Sequence, residues 1–108
     1  MVKQGDIIKL NLDPRKGHEQ KGYRPYICLS HDLINKTSNI GVFAPISNTQ
    51  RNYPFYYPLR DVKTTGKVLL DQLIAIDYQS RKYNFVESVS DPLLTELLDR
   101  VKFVFEKN

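Results

Sequence analysis

The chain has 108 residues and a mass of 12.6 kDa, which predicts a single domain spanning residues 1–108, and 41% of its residues are hydrophobic, enough to form a core. Residues 1–86 carry 13 basic and 7 acidic side chains (+6), whereas residues 87–108 carry 3 and 5 (−2), so the body favours a polyanionic partner. The single cysteine excludes an internal disulfide and a cysteine-rich zinc site, and no apolar run approaches the ~20 residues of a membrane span. The first residues lack the apolar stretch of a signal peptide, two histidines without clustered ligands disfavour a metal enzyme, and a reducing cytoplasm is the expected location.

Alternating and apolar stretches predict three strands in the first half of the chain. Asp6–Asp13 has the two-residue period of a half-buried strand and ends at a proline. Pro14–Pro25 contains two glycines and many charges, a composition typical of a loop. Tyr26–Ser30 predicts a short buried strand, and the polar connection His31–Asn39 has room for one helical turn. Ile40–Ser47 predicts the third strand.

Prolines and one long apolar run mark the middle of the chain. Pro45 indicates that the third strand ends there or lies at an edge, and Tyr53–Leu59, which has two prolines, is an edge strand if it is a strand at all. After a turn at Arg60–Gly66, the run Lys67–Asp77 is the longest apolar stretch and predicts the central strand. Its one interior polar pair is Asp71–Gln72.

The C-terminal segment has a helical pattern. Asp91 as the N-cap and Pro92 at the first helical position predict where the helix begins. Apolar residues then recur at helical spacing, namely Leu93, Leu94, Leu97, Leu98, Val101, Val104 and Phe105. Short strands, Pro/Gly turns and one amphipathic helix packed on the sheet predict an α+β domain, mostly β, with a strongly curved or barrel-like antiparallel sheet.

The loop before the second predicted strand collects charge. Within ten residues lie Arg15, Lys16, His18, Glu19, Lys21 and Arg24. A loop held between two strands can present such groups to one anionic ligand, although a solvated charged turn has the same composition. Arg24 directly precedes Pro25, which favours an extended backbone and a guanidinium directed from a defined position. That guanidinium either binds phosphate or forms a surface ion pair.

Ser47 and Asp71 are polar groups at predicted strand positions. The Ser47 hydroxyl, at the end of an apolar strand, either donates to a phosphate oxygen or caps a turn. The Asp71 carboxylate, which lies amid leucines, either pairs with a buried partner or faces a site. His18 is a candidate acid or base near neutral pH, or an exposed loop residue.

These residues, in this order and spacing, resemble the MazF/PemK (Kid-type) family of bacterial toxins. The motif that carries the resemblance is D-P-x-x-G-x-E-Q-x-G-x-R-P, which spans Asp13–Pro25 here. The match continues through A-P-I-S at Ala44–Ser47, Y-P-F at Tyr53–Phe55 and D-Q-x-x-x-I-D at Asp71–Asp77. The amphipathic C-terminal helix also fits, so the resemblance covers nearly the whole chain.

The resemblance implies an SH3-like barrel with appended helices and a metal-independent endoribonuclease without a cofactor. It implies a homodimeric toxin of a toxin–antitoxin pair that cuts single-stranded mRNA at short sequence motifs. Cleavage through the RNA 2′-hydroxyl would give a 2′,3′-cyclic phosphate, or a 3′-phosphate after opening, and a 5′-hydroxyl. The implied protein partner is an antitoxin whose acidic, disordered segment folds across the RNA groove.

By the same resemblance the catalytic pair is Arg24, in the R-P dipeptide, and Ser47, where many members have threonine. His18, Glu19 and Asp71 are candidates for acid–base or supporting roles. Kid-like members have an arginine at the strand position that Leu69 occupies here. A mechanism with that arginine as general acid therefore does not transfer to this chain.

The remaining predicted site residues concern RNA binding. They are Arg15, Lys16, Gln20, Lys21, Tyr23, Asn48, Gln50, Arg51 and Gln72. The aromatic residues that follow the Ser47–Asn52 loop either stack on RNA bases or pack at an edge strand or a dimer interface; they are Tyr53, Phe55, Tyr56 and Tyr57.

Two alternatives from other function classes stand beside the ribonuclease. A CcdB-like protein shares the fold but inhibits DNA gyrase by protein–protein contact. CcdB-like proteins have a C-terminal tail with a tryptophan and lack the G-x-E-Q-x-G-x-R-P loop, whereas this chain has that loop and no tryptophan. A catalytically inactive RNA-binding module is the other alternative, although Arg24 and Ser47 are both present.

Overall fold

The structure is a computed structural model, which describes residues 1–12 and 22–108. Within those ranges seven strands form one antiparallel sheet: β1 (Asp6–Asn11), β2 (Tyr23–Cys28), β3 (Gly41–Ser47), β4 (Tyr56–Pro58), β5 (Lys67–Leu69), β6 (Ile74–Ile76) and β7 (Tyr83–Ser88). In the same described ranges two α-helices accompany the sheet, α1 (Asp32–Thr37) and α2 (Asp91–Val101), with 3-10 turns at Tyr78–Ser80 and Lys102–Phe105. The strand order is β4-β5-β3-β2-β1-β7, and β6 pairs with β3. None of the described helices is long and apolar enough to cross a membrane.

Strand β3 curves the sheet because it shares one of its edges between two partners. Along that edge Gly41–Phe43 pairs with β6, and Ile46 and Ser47 pair with β5. The other edge pairs with β2 over Phe43–Pro45. The prediction of an edge position or strand end at Pro45 is therefore wrong, because β3 is an inner strand. Proline is tolerated there because Pro45 lies between the segments that pair with β6 and β5.

The run Lys67–Asp77 is not the central strand that its apolar character predicts. It forms β5 and β6, two strands of three residues each, separated by a turn. The polar residues Asp71 and Gln72 lie exposed in that turn, where the Gln72 N–H donates to the Leu69 carbonyl at 3.1 Å. The run is apolar because both of its halves pair with β3, and not because it is one buried strand.

Apolar residues cover both faces of the sheet, as strands buried on two sides require. The cluster on the face that packs against α2 comprises Ile7, Ile27, Leu29, Ala44, Ile46, Val68, Leu70, Val89, Leu93 and Leu97. The cluster on the opposite face comprises Val2, Ile8, Leu10, Tyr26, Cys28, Phe43, Ile76 and Tyr78. Alternation along β1 and β2 assigns successive residues to opposite clusters. The predicted curved, mostly β fold with a packed C-terminal helix is confirmed.

Four elements differ in extent or existence from the predictions. β2 begins at Tyr23, three residues before the predicted start, and the predicted helical turn is the six-residue α1. The edge strand β7 was not predicted, because Asn84, Phe85 and Val86 are all exposed and show no alternation. The predicted edge strand at Tyr53–Leu59 is confirmed in part, since β4 covers three of its residues at the end of the sheet.

Helix α2 starts one residue earlier than the predicted cap implies. Ser90 is the N-cap, and its hydroxyl accepts a hydrogen bond from the Leu93 N–H at 3.3 Å, while Asp91 is the first helical residue. The negative charge of Asp91, in the first turn, interacts favourably with the helix dipole and so stabilises the helix. The α-helix ends at Val101, and in the 3-10 turn that follows Phe105 is 74% exposed and does not pack on the sheet.

A charged cluster ties α2 to β4. The Arg60 guanidinium donates to both carboxylate oxygens of Glu96, with one Nη1–Oε1 distance of 3.0 Å, and the Tyr57 hydroxyl donates to the same carboxylate. These hydrogen bonds from Arg60 and Tyr57 lower the pKa of Glu96 to about 2, and the bond to Glu96 raises the pKa of Tyr57. Arg100 lies over the Tyr57 ring, 5.8 Å from its centroid.

The lowered pKa of Glu96 predicts a pH-dependent contribution to stability. A carboxylate whose pKa is lower in the folded state stabilises the fold above its unfolded pKa, and this contribution is lost as the pH falls through the folded pKa. We therefore expect Glu96→Gln to lower the urea midpoint at pH 7, with the difference from wild type shrinking between about pH 4.5 and pH 2. Asp99→Asn is the matched control, because Asp99 is on the same helix in an exposed pair with Lys102 at 3.5 Å. Equal pH profiles for the two variants would contradict the assignment.

Candidate active site

Arg24 and Ser47 lie at neighbouring ends of β2 and β3. The register between these strands pairs Tyr26 with Pro45 and Cys28 with Phe43. The same register, continued by two residues beyond Tyr26 and Pro45, brings Arg24 opposite Ser47. On its outer side each residue pairs with another strand, Arg24 with Leu10 of β1 and Ser47 with Lys67 of β5.

A cavity of about 370 Å³ joins these two side chains, and we refer to it as the Arg24 cavity. Its lining residues are Leu12, Arg24, Tyr26, Pro45, Ile46, Ser47, Leu69, Gln72 and Ile74. Arg24 and Tyr26 are two positions apart on β2, and Pro45 and Ser47 are two apart on β3, so each pair faces the same side of the sheet. The cavity therefore lies on the face opposite α2, at the end of the sheet.

Neither predicted catalytic side chain has an intramolecular partner among the described residues. No carboxylate there lies within 4.0 Å of the exposed Arg24 guanidinium, and the Ser47 hydroxyl makes no hydrogen bond. The alternative role of the Ser47 hydroxyl, capping a turn, is therefore not seen among the described residues. Within residues 1–12 and 22–108, neither group is occupied by another side chain or backbone group, which leaves both facing the cavity.

Ser47 is held in place by a close approach of the backbone at Gly66. Gly66 has φ +121°, a conformation that L side chains rarely adopt, and a Cβ built on it would lie 2.6 Å from the Ser47 carbonyl oxygen. Asn48, the next residue, accepts a hydrogen bond from the Thr65 hydroxyl at 3.0 Å. The position of Ser47 therefore depends on a glycine at residue 66.

Tyr26 and Arg81 belong to the cavity region and were not predicted as site residues. Burial raises the pKa of the Tyr26 phenol, and the positive charges of Arg24 and Arg81 partly oppose that rise. Arg81 follows the 3-10 turn after β6, and its Nη1 donates to the Asn11 carbonyl at 3.2 Å. The sequence could have indicated Tyr26, because it lies two residues after Arg24 and so on the same face of the strand. It gives no indication of Arg81, which follows a turn distant in sequence from Arg24.

Gln72 connects the Arg24 cavity with an aromatic cluster made of Tyr53, Phe55 and Tyr56. Its Nε2 donates to the Tyr56 hydroxyl at 3.3 Å. The Tyr53 ring is 4.9 Å from that of Tyr56, and the Arg51 guanidinium lies 4.6 Å from the Tyr53 centroid. The rings are also in contact through Tyr53 and Phe55, at 5.9 Å. Two predicted RNA-binding residues, Gln72 and Arg51, thus flank one aromatic surface, while Gln50 is exposed in the loop before it.

A second cavity, of about 380 Å³, takes in the predicted RNA-binding residues Tyr23 and Asn48. Its other lining residues are Lys9, Pro25, Lys63, Thr64, Thr65 and Val86. Tyr23 and Pro25 alternate with Arg24 and Tyr26 along β2, so this Lys9–Lys63 cavity opens on the other side of the sheet end. Its floor is fixed because the Glu87 carboxylate accepts hydrogen bonds from the backbone N–H groups of Lys63 and Thr64 at 3.0 and 2.7 Å.

The other predicted site residues are not brought together with this pair. Asp71 is exposed in the turn between β5 and β6 and is not a lining residue of the Arg24 cavity, so neither a buried pair nor a site-facing carboxylate is found. Its supporting role stays a prediction. The remaining predicted residues lie outside the described residues: Arg15, Lys16, His18, Glu19, Gln20 and Lys21.

Comparison with known families places this chain in a group of toxins. A family model described as the PemK-like, MazF-like toxin of type II toxin–antitoxin systems matches residues 3–105. The chain belongs to this family. The predicted resemblance is therefore confirmed over nearly the full length of the chain.

Similar proteins include named ribonucleases. Endoribonuclease PemK of Escherichia coli is 32% identical over 108 residues, covering 95% of this chain and 81% of PemK. Endoribonuclease toxin ChpB of E. coli K12 is 32% identical over 109 residues, covering 95% of this chain and 93% of ChpB. These PemK/MazF relatives support an RNA-cleaving toxin, and they do not support the CcdB-like alternative.

Solved structures share the fold. The crystal structure of MazF from Deinococcus radiodurans matches with a TM-score of 0.80 and 27% identity, covering 96% of both chains. A MazE–MazF structure from the same organism matches with a TM-score of 0.84 and 24% identity, covering 96% of this chain and 95% of the other. The likeness to the second structure concerns the fold alone.

Proposed function

We propose that the chain is an endoribonuclease toxin that cleaves single-stranded mRNA with Arg24 and Ser47 and needs neither a metal ion nor a cofactor. The observation that carries the proposal is the Arg24 cavity, in which a guanidinium and a hydroxyl face one space. Family membership of residues 3–105 supports the same activity, and residues 1–108 then form one toxin domain.

RNA supplies its own nucleophile, the 2′-hydroxyl beside each scissile phosphate. The enzyme must therefore stabilise the charge of the phosphorane, assist removal of the 2′-proton and protonate the leaving 5′-oxygen. Arg24 suits the first task because its planar guanidinium matches two phosphate oxygens and remains charged at every physiological pH. With no carboxylate within 4.0 Å among the described residues, that charge is available to the substrate.

Ser47 suits the role of a neutral donor to a non-bridging phosphate oxygen. Its hydroxyl has no competing partner among the described side chains and backbone groups, and its backbone is fixed between Gly66 and β5. A donor held in place before the reaction loses little entropy when the phosphorane forms. Products with 2′,3′-cyclic phosphate, or 3′-phosphate after opening, and 5′-hydroxyl ends follow from this chemistry.

The two neighbouring surfaces suit the nucleotides on either side of the scissile bond. The aromatic cluster at Tyr53–Tyr56 offers ring faces for base stacking, and the Lys9–Lys63 cavity offers two ammonium groups for phosphate. The net +6 of residues 1–86 favours the same polyanion.

The partners follow from the same function. A 108-residue domain has little surface for an RNA groove, so we propose that two copies form one groove as a homodimer. Structures similar to this one include MazE–MazF and an endoribonuclease in complex with its cognate antitoxin. We propose that this toxin likewise binds an antitoxin, through an acidic disordered segment that competes with RNA, and that it acts on mRNA in the cytoplasm.

One digestion tests the proposed function. Purified protein is incubated with single-stranded RNA in the presence of EDTA, and the fragment ends are analysed chemically. We expect cleavage at short motifs with 5′-hydroxyl and cyclic-phosphate ends. Intact RNA, or cleavage only after a divalent metal is added, would overturn the proposal.

The Lys9–Lys63 cavity predicts a change in the salt dependence of RNA binding. The double variant Lys9→Gln/Lys63→Gln removes two phosphate partners, so the slope of log binding constant against log salt should become less steep by about 1.4. The measurement is fluorescence anisotropy with a single-stranded oligonucleotide whose scissile 2′-hydroxyl is replaced by hydrogen. The control Lys36→Gln/Lys107→Gln removes the same charge from exposed positions elsewhere, and an equal change in slope there would contradict a local phosphate site.

A further inference from the structure

Tyr26 holds an unusual position for a buried tyrosine. It is 7% exposed and packs in the apolar cluster with Leu10, Cys28 and Phe43, yet it also lines the Arg24 cavity. It lies two residues after Arg24 on the same face of β2. Its ring is therefore held by the core while its edge borders the space that Arg24 and Ser47 share.

The Tyr26 hydroxyl has no hydrogen-bond partner among the described residues. Buried tyrosine hydroxyls usually find one. In the described part of the chain no fully buried side-chain oxygen is left unsatisfied, so the Tyr26 hydroxyl is accessible to solvent. The cavity that Tyr26 lines is the Arg24 cavity, and that is where a ligand could meet the hydroxyl.

The described lining residues offer few proton donors for the leaving oxygen. Leu12, Leu69 and Ile74 are apolar, and the amide of Gln72 and the hydroxyl of Ser47 do not act as acids near neutral pH. The Arg24 guanidinium is not a proton donor of this kind, because arginine does not give up its proton in proteins. A phenol, with an ordinary pKa of about 10, is a weak acid that still protonates an alkoxide readily.

We propose that Tyr26 is the general acid of the RNA cleavage, donating its hydroxyl proton to the leaving 5′-oxygen. This inference rests on the proposed ribonuclease function. The 2′-oxygen forms a bond to phosphorus as its proton passes to water, and the bond between phosphorus and the 5′-oxygen breaks with its electron pair on that oxygen. The Tyr26 proton transfers to the 5′-oxygen, and the phenolate recovers a proton from water.

The two arginines near Tyr26 stabilise the phenolate that this step creates. Burial raises the pKa of Tyr26, which keeps the phenol protonated and ready to donate before the reaction. The charges of Arg24 and Arg81 act in the opposite direction and favour the phenolate once the proton has left.

The test uses Tyr26→Phe and two RNA substrates, one ordinary and one with sulfur in place of the scissile 5′-oxygen. On ordinary RNA we expect kcat to fall by about 10²-fold or more with KM unchanged, as for loss of a general acid. A thiolate leaves without protonation, so Tyr26→Phe should cleave the sulfur-containing substrate at the wild-type rate. Arg24→Ala should be slow on both substrates, because phosphorane stabilisation is needed in either case.

Tyr83→Phe is the control, since Tyr83 packs against the same apolar cluster but does not line the Arg24 cavity. Equal rates for wild type and Tyr26→Phe on ordinary RNA would overturn the inference and leave the ribonuclease intact. If Tyr26→Phe lost the same fraction of its cleavage rate on both substrates while keeping the wild-type melting temperature, Tyr26 would shape the cavity without donating the proton. That result would also overturn the inference. Wild-type protein that leaves both substrates uncut would instead contradict the proposed function.

Discussion

Arg24→Ala is expected to lower the rate constant for RNA cleavage by about 10³-fold or more while the protein stays folded. Among the described residues that line the Arg24 cavity the guanidinium is the cation, and its charge meets the developing charge of the phosphorane. Because the side chain is exposed and makes no hydrogen bond with other described residues, its loss should not change the urea midpoint. Single-turnover cleavage of one RNA oligonucleotide measures the effect.

Two further variants isolate the role of the Arg24 guanidinium. Arg24→Lys keeps the charge but loses the planar fork, so its rate should lie between those of wild type and Arg24→Ala. Arg100→Ala is the matched control, because Arg100 is an arginine in the last turn of α2 that stacks on Tyr57. If Arg24→Ala retained the rate of Arg100→Ala, the catalytic assignment would be wrong.

Gly66→Ala is expected both to destabilise the protein by about 1–3 kcal/mol and to slow cleavage by the folded protein. The first effect follows from the φ of +121°, and the second from the 2.6 Å approach of the new Cβ to the Ser47 carbonyl. To relieve that contact the end of β3 must move, which displaces the Ser47 hydroxyl from its place opposite Arg24. Urea unfolding and kcat at a temperature where both proteins are folded separate the two effects.

Gly5→Ala is the matched control for the backbone strain at Gly66. Gly5 has φ +92°, but its Cβ would meet side chains alone, those of Leu94 at 3.4 Å and Val89 at 3.5 Å, and none of these residues lines the Arg24 cavity. It should therefore lose stability by a similar mechanism while the folded protein keeps its wild-type kcat. If both glycine variants lowered kcat equally, the contact with Ser47 would not explain the loss.

The sequence predicted the fold best where strand periodicity was local and strict. In β1, the alternation of Ile8 and Leu10 with Lys9 and Asn11 marked the strand, because successive side chains point to opposite faces of the sheet. Prediction failed where tertiary pairing decided the outcome. The run Lys67–Asp77 contains no glycine or proline to mark its turn, and only pairing of both halves with β3 divides it. The edge strand β7 was missed because four of its six residues are exposed, so no buried face marks it in the sequence.

The candidate site also has residues that the sequence predicts and residues that only the tertiary structure identifies. Arg24 and Ser47 belong to short motifs, so sequence alone singled them out, and the register between β2 and β3 then accounts for their proximity. Tyr26 and Arg81 carry no motif. Their relevance depends on which atoms enclose the cavity and on a turn that brings residue 81 back to the end of β1.

The shared edge of β3 has a consequence for how the enzyme loses activity on heating. Ser47 is at the end of a strand paired on both sides, and Arg24 is on β2, which is paired with β1 and β3. Groups on such inner strands open only with the whole cooperative unit, whereas loops and edge strands open locally at lower free energy. The proposed catalytic pair should therefore show no separate, low-temperature inactivation, and its geometry should persist until the sheet itself melts.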